Sequence, residues 1–333
     1  MRPALPPEVF EPATSRLALV PAHVGVISIA MLAIIDGWVP WMVWPLLSIA
    51  IGVSMSCLTF VAHETVHGGI VRNRTVRHII GFIGFLPFMV SPRLWAAWHD
   101  RVHHSTANVS TDPDTYPTLA EYHSSLGMRI MVDKFAPGGG RWRGILTLMF
   151  GFTGQSTIQL LQARQRQYLK PPAFRLAMVE TALGIAIWTT LAIVAGFVPF
   201  LFVFLLPLIV ANAMVMAFIL TNHSLSPRVE INDPVVSGLT VTSPAWFEWL
   251  TLYFGYHVEH HVFPAMSSRH SKRVRALLQQ KWPQRYKSMS FRKALIRIHR
   301  TARVYKDAVT LVDPMTGREF PTLTPSDLSP AVE

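Results

Sequence analysis

Cysteine is nearly missing from this chain, and charge is scarce. Cys57 is the single cysteine in 333 residues. That excludes an internal disulfide, a four-cysteine zinc site and an iron–sulfur cluster held by this chain alone. Charged residues make up 15% against 50% hydrophobic, with a mean hydropathy of +0.32. A soluble domain carries about 25% charged residues, so the balance points to a membrane. The opening stretch, MRPALPPEVFEPATSR, lacks the apolar core of a secretory signal peptide and reads as a soluble lead-in. Gly138, Gly139 and Gly140 lie in a basic loop, residues 134–143, but no G-x-G-x-x-G fingerprint accompanies them, so a nucleotide site has no support. The net charge of +11 would suit nucleic acid only as basic patches on a soluble domain. Here the bases avoid the apolar runs, as on the positive face of a membrane protein.

What is present is a set of long apolar runs. Residues 17–35 and 38–62 form one pair, joined by a turn at Asp36, Gly37 and Pro40 with Trp38, Trp41 and Trp44 around it. Residues 175–220 form a second pair, turning at 196–199 and carrying Glu180, Pro207 and Asn212. About 20 apolar residues span a bilayer, so an all-α integral membrane protein with two helical hairpins, about four spans, is expected. Of the thirty Lys and Arg, two precede residue 17, thirteen lie between Arg72 and Arg175, and fifteen come from Arg228 onward. The positive-inside rule then places both termini and the central segment in the cytosol, at a bacterial inner membrane or the ER membrane. Residues 79–90 are too short to cross and are broken by Pro87 and Pro92, so they read as re-entrant or interfacial. Residues 145–161 and 246–256 read as helices at the interface. Beyond Pro264 basic helices are expected: one capped by Ser267 or Ser268 and running to Lys281, another capped by Ser290 with Phe291, Leu295, Ile298 and Ala302 on one face. The second carries Arg292, Lys293, Arg297, Arg300 and Arg303, read either as a plain solvated face or as one suited to headgroups or to an acidic redox partner. The expected division is a lead-in (1–16), a membrane domain (17–265), basic helices (266–308) and a loose tail (309–333).

Eight of the fourteen histidines fall in three short boxes. HETVH holds His63 and His67, HDRVHH holds His99, His103 and His104, and HVEHH holds His257, His260 and His261. On a helix, positions i, i+3 and i+4 share one face, so each box presents imidazoles together. All three boxes, and His223 in TNHS at the end of the fourth run, fall on the cytosolic side by the charge count. Nine imidazoles exceed the needs of one metal and suit two with four or five nitrogens each. Imidazole serves zinc, copper, iron and nickel. A site at the mouth of an apolar bundle implies a lipid substrate with unactivated C–H bonds, whose attack needs O2 and a redox metal, foremost iron. Glu64, Asp100 and Glu259 stand beside box histidines as carboxylates able to accept a ligand's other N–H; solvent-facing acids are the plain alternative, and the same holds for Asp112 and Asp114. Asn222 is a candidate to hold a metal-bound water. His23, His78, His123, His270 and His299 stand alone as non-ligands.

Competing readings exist. HETVH is also H-E-x-x-H, the zinc metalloprotease motif with Glu64 as general base, but that leaves the other two boxes without work. Glu64-x-x-His67 matches half of a carboxylate di-iron site, and no second Glu-x-x-His lies near. A metal transporter would want ligands within its spans, where they are scarce.

In its ordered boxes, H-x3-H, H-x3-H-H and H-x2-H-H, and its two hairpins, the chain resembles the membrane fatty acid desaturase and hydroxylase superfamily over roughly residues 40–285. HVEHHVFP is similar to acyl-lipid desaturases, and HDRVHH with TDPD after it is similar to the carotenoid hydroxylase and ketolase branch. The resemblance implies two irons on the box histidines plus one near the fourth helix, O2 as co-substrate, and electrons from a separate ferredoxin- or cytochrome b5-type protein. It implies desaturation of a fatty acyl chain, with hydroxylase or ketolase action on a lipid, alkane or carotenoid as the alternative.

Overall fold

The computed structural model describes residues 2–324. Among these, four helices are long and apolar enough to cross a membrane: Pro7–Ile35, Trp41–His67, Pro171–Ala195 and Phe197–His223. A helix satisfies its own backbone where no water can, so the expected all-α membrane fold with two hairpins is what forms. The second and fourth spans are the inner pair, with 67% and 50% of their apolar stretches buried against 17% for the first and third. Their contact depends on a small residue. A Cβ on Gly52 would lie 2.6 Å from the Pro207 carbonyl oxygen, and nearby Ser48 Oγ donates to Phe202 O at 2.6 Å. Both inner helices run past the apolar limits expected from hydropathy, through His63 and His67 and through Asn222 to His223. The polar box residues simply continue the helical winding.

Between the hairpins, Arg74–Phe88 and Pro92–Thr106 meet at a bend of 100°. Met89 takes φ 57° at the break, and Pro92 starts the next helix, capped by Ser91. A break beside both prolines is what residues 79–90 led one to expect. The bend is tied to the third span by Glu180, which accepts from Ser91 Oγ at 2.6 Å and Arg93 Nε at 2.7 Å.

Several local expectations need correction. Gly144–Gln162 is helical, but its middle packs on the fourth span: Thr153 N donates to Asn212 Oδ1 at 3.0 Å, and Phe152 is buried. Residues 246–256 do not form one helix. Ala245–Leu250 stops, and Leu252 and Tyr253 take positive φ so that Gly255 can approach Val241, where a Cβ would sit 2.4 Å from the carbonyl oxygen. Neither Ser267 nor Ser268 caps the Ser271–Lys281 helix, since Ser267 Oγ donates to Glu64 instead. Ser290 does cap Phe291–Arg300, whose buried contacts are Ala294 and Ile298 rather than Leu295.

The lead-in and the described part of the tail are packed, too. Leu5, Val9 and Ala13 of the lead-in are buried, the first two among Val258, Val274 and Leu278. The tail expected from residue 309 contributes two of three antiparallel strands, Val304–Tyr305, Thr310–Val312 and Glu319–Pro321; residues 325–333 lie outside the described part. The glycine-rich loop is tied down as well. Gly139 N and Gly140 N donate to Thr301 O and His299 O at the end of the Phe291–Arg300 helix. Gly138 there has φ 123°, and a Cβ would meet Thr301 O.

Candidate metal centre

His63 and His67 sit one turn apart at the end of the second span. Gly68, at φ 93°, ends the helix immediately after them, as a left-handed cap residue does. His99 and His103 lie on a widened turn, Ala96–His103, whose helical bonds close five residues apart, and His104 comes directly after it. Widening lowers the rotation per residue to roughly 80° from about 100°. His104, five places after His99, therefore swings toward the same side instead of away. His257, His260 and His261 occupy one short helix, His257–Val262.

The nine histidines separate into two groups. Nitrogens of His63, His67, His99, His104 and His260 lie within 4.8 Å of one another, and those of His103, His223, His257 and His261 form a second such set. Boxes two and three are both split: His99 and His104 go one way and His103 the other, while His260 parts from His257 and His261. Sharing a helix face thus brings imidazoles to one region, and side-chain reach divides them. The groups adjoin, with the His104 and His261 rings stacked at 4.1 Å. Asp114 is also within reach of His99 and His103. His23, His78, His123, His270 and His299 fall outside both groups, and His78 lies 2.9 Å from Glu180.

The donor set fits metal ions. His67 Nε2 and His261 Nε2 are buried without a hydrogen-bond partner among the described residues, a costly state unless something else engages them. His63 Nε2 to His99 Nε2 is 3.3 Å and His104 Nε2 to His260 Nε2 is 3.2 Å. Two nitrogens bound at about 2.0–2.1 Å to one metal lie about 3.0–3.4 Å apart. Burial first, and then neighbouring imidazoles, push His257, His260 and His261 well below the usual histidine range, which keeps them in the neutral form that ligates.

Polar supports orient several of these rings. His103 Nδ1 donates to Asp112 Oδ1 at 2.9 Å, and His223 Nδ1 donates to Ser237 O at 3.0 Å, which turns His223 Nε2 toward His257 Nε2, 2.6 Å away. His67 Nδ1 lies 2.9 Å from Asp100 Oδ1. Asp112 further accepts from Asn108 N at 2.8 Å and Asp114 N at 2.9 Å. Burial works against charge on Asp112, but His103 and these donors outweigh it and hold its carboxyl below the usual range. Asp114 is pushed up by burial.

Two of the acids proposed to orient histidines do something else. Glu64 touches no imidazole: it accepts from Arg16, from Ser267 Oγ at 2.7 Å, and from Ser268 N at 3.2 Å and Oγ at 2.7 Å. It therefore joins the end of the second span to the segment after box three and to the lead-in. Glu259, fully buried, accepts from Thr240 Oγ1 at 2.7 Å and from Tyr286 OH, anchoring the box-three helix from behind. Both acids are turned away by helical periodicity, one residue off the histidine face. Asn222 buries an Oδ1 with no hydrogen-bond partner among the described residues, available to accept from a polar ligand.

Sequence reasoning missed Asn108 and the Ser237 carbonyl. Asn108 is buried at φ 58°, and its Nδ2 donates to His223 O at 3.3 Å and Pro227 O at 3.1 Å. Asn tolerates the left-handed region better than most residues, a hint too weak to act on alone. Beside the groups lies a narrow cleft of about 20 Å³, room for about one water. His63, His257 and His260 line it together with Phe60, Phe254, Met266, Glu64 and Ser268.

Residues 39–293 match the family model described as fatty acid desaturase. The chain is similar to the sn-1 oleoyl-lipid 12-desaturase of Synechocystis sp., 24% identical over 84% of this chain and 80% of that protein. It is similar to the chloroplastic omega-6 fatty acid desaturase of Arabidopsis thaliana, 23% identical over 84% of this chain and 62% of that protein, so it spans less than two thirds of the plant relative. Over 38% of its length it is 28% identical to a Synechocystis sn-1 acyl-lipid omega-3 desaturase (ferredoxin), covering 35% of that protein.

Proposed function

The chain belongs to the fatty acid desaturase family and is an oxidoreductase, and we propose that it desaturates a long fatty acyl chain, using O2 and electrons from an external carrier. The observation that carries this reading is the sorting of nine histidines into groups of five and four, with the apolar Phe254 ring 4.9 Å from His63. His63, His67, His99, His104 and His260 would hold one iron, and His103, His223, His257 and His261 the other. When bound, iron supplies the O2-activating redox chemistry that an unactivated C–H bond requires.

The chain's own residues do the rest. Asp112 and the Ser237 carbonyl fix the protonated nitrogens of His103 and His223, so that the other nitrogen faces the metal. Phe60 and Phe254, with ring centroids 4.5 Å apart, set apolar surface beside His63 and His257, against which an acyl chain would lie once the cleft opens. By the distribution of Lys and Arg, the centre would face the cytosol. Arg292, Lys293 and Arg300, exposed on the Phe291–Arg300 helix, offer a basic face to an acidic carrier of the ferredoxin or cytochrome b5 type; one relative's name includes ferredoxin. The protease reading loses its base, because Glu64 is occupied by Arg16, Ser267 and Ser268.

The test is metal and lipid analysis together. The purified protein should hold two irons, and cells expressing it should gain a double bond in their acyl lipids that a His260→Ala variant does not produce. With a purified carrier, turnover should fall as salt rises, since exposed charges are screened beyond about 10 Å at 0.1 M. One zinc and no iron, or turnover with O2 and NAD(P)H but no carrier protein, would refute the proposal.

A further inference from the structure

His223 is the one member of the two groups that comes from outside the three boxes. It is the last helical residue of the fourth span, and residues 224–229 directly after it have neither helix nor strand. Its ring therefore depends on whatever holds that irregular segment. Asn108 and Lys287 hold part of it, and four further backbone contacts come from C-terminal residues beyond the family match, which ends at 293. Arg303 Nη1 donates to Ser224 O at 3.3 Å, Leu323 N to Leu225 O at 2.8 Å, and Tyr305 OH to Ser226 O at 2.7 Å. Arg228 N donates to Ala308 O at 2.8 Å.

These contacts are buried. Arg303 and Tyr305 are 2% and 1% exposed. A guanidinium is taken out of water at high cost unless its donors are used, and Arg303 spends further donors on Ala302 O and Ile298 O, both at 2.6 Å. Tyr305 has a second attachment, its N–H donating to Pro117 O at 2.9 Å, in the loop that carries Asp112 and Asp114. The two segments supporting the four-imidazole group, one behind His103 and one after His223, are thus held by a single module.

We propose that residues 303–323 are a positioning element for the four-imidazole group, pinning the segment after His223 so that one of the two metals depends on them and the other does not. This rests on the two-metal reading above. Arg303 and Tyr305 are positioning residues in it, since they touch no imidazole.

The experiment uses the full chain with Tyr305→Phe and Arg303→Met, and Tyr122→Phe as control, because the Tyr122 hydroxyl meets Asp133 instead. Two quantities are read on protein that remains folded by size exclusion in detergent. The first is release of iron to a chelator. Wild type and Tyr122→Phe should lose both irons slowly, whereas Tyr305→Phe should lose one about 10-fold faster and keep the other at the wild-type rate. The second is amide hydrogen exchange over residues 223–229 in metal-free protein, expected to quicken about 10-fold in both variants. That second readout needs no metal. A wild type without two irons would overturn the two-metal reading while exchange still tests the pinning. Unchanged exchange in folded Tyr305→Phe and Arg303→Met, or equal acceleration of both irons, would overturn the positioning role.

Discussion

The five-imidazole and four-imidazole groups adjoin but are held in place by different means. The five-membered group is built on helices: the end of the second span, the widened turn and the box-three helix. Its acid contact, Asp100 against His67, has a side chain 33% exposed. In the four-membered group, His103 leans on Asp112, whose side chain is 1% exposed, and His223 on the Ser237 carbonyl. Asn108 links the two supports. One group has a spare ligand and light support. The other has none to spare and is braced by loops. Redundancy and bracing are alternative ways to secure a metal, and under the proposed two-iron reading this molecule would use one on each side of the His104–His261 stack.

The largest expected effect separates the groups by ligand removal. His257→Ala should leave three imidazoles and empty the four-membered site, giving about one iron per chain. His99→Ala leaves four in the other site and should retain both irons with weakened binding. Metal analysis of each purified variant checks this, with His299→Ala expected to match wild type. Equal loss from His257→Ala and His99→Ala would erase the distinction.

Next come the supports. Asp112→Asn should weaken metal affinity by about 10–100-fold, the range for groups that orient ligands. Asp100→Asn, at a carboxylate partly open to water, should cost less than about 10-fold. Competition with a chelator ranks the two, and the reverse order would show that exposure does not govern bracing here.

A smaller effect is expected at Glu64. Because it bonds to Arg16, Ser267 and Ser268 and to no imidazole, Glu64→Gln should retain measurable lipid oxidation and two irons while lowering the unfolding temperature. Complete loss of turnover with full iron would restore a direct chemical role for this acid.

The smallest effect concerns pH. Burial lowers the Lys287 pKa from 10.5 to about 7, where its Nζ donates to Val236 O and to Ser226 Oγ at 3.3 Å, next to the four-membered group's braces. Above pH 7 the folded chain has released that proton while the unfolded chain keeps it up to about 10.5, so the unfolded state binds more protons and stability rises with pH across that window. Thermal unfolding should show this slope in wild type and a flatter one in Lys287→Met. Parallel slopes would remove Lys287 from the account.

The parts legible in advance were those governed by local periodicity and by bulk transfer into lipid. Runs of apolar residues determined the four spans, and the breaks at Pro87, Pro92 and 196–199 determined where the chain turns. Spacing alone singled out the eight box histidines, and the position of His223 at the end of an apolar run singled out the ninth. Which imidazole joins which group was decided only in three dimensions. His260 and His261 are neighbours in sequence and belong to different groups, because the outcome depends on rings brought from helices up to about two hundred residues apart. The same holds for the acids: Glu64, Asp100 and Glu259 look alike beside their histidines and Asp112 stands apart from every box, and only packing shows that Asp100 and Asp112 face an imidazole while Glu64 and Glu259 face hydroxyls. The C-terminal strands escaped notice because short polar strands carry little periodic signal and are stabilised by long-range partners. Transfer energies and helical repeat are properties of a segment and its solvent, so sequence determines them; the pairing of polar atoms across segments exists only once the chain has folded.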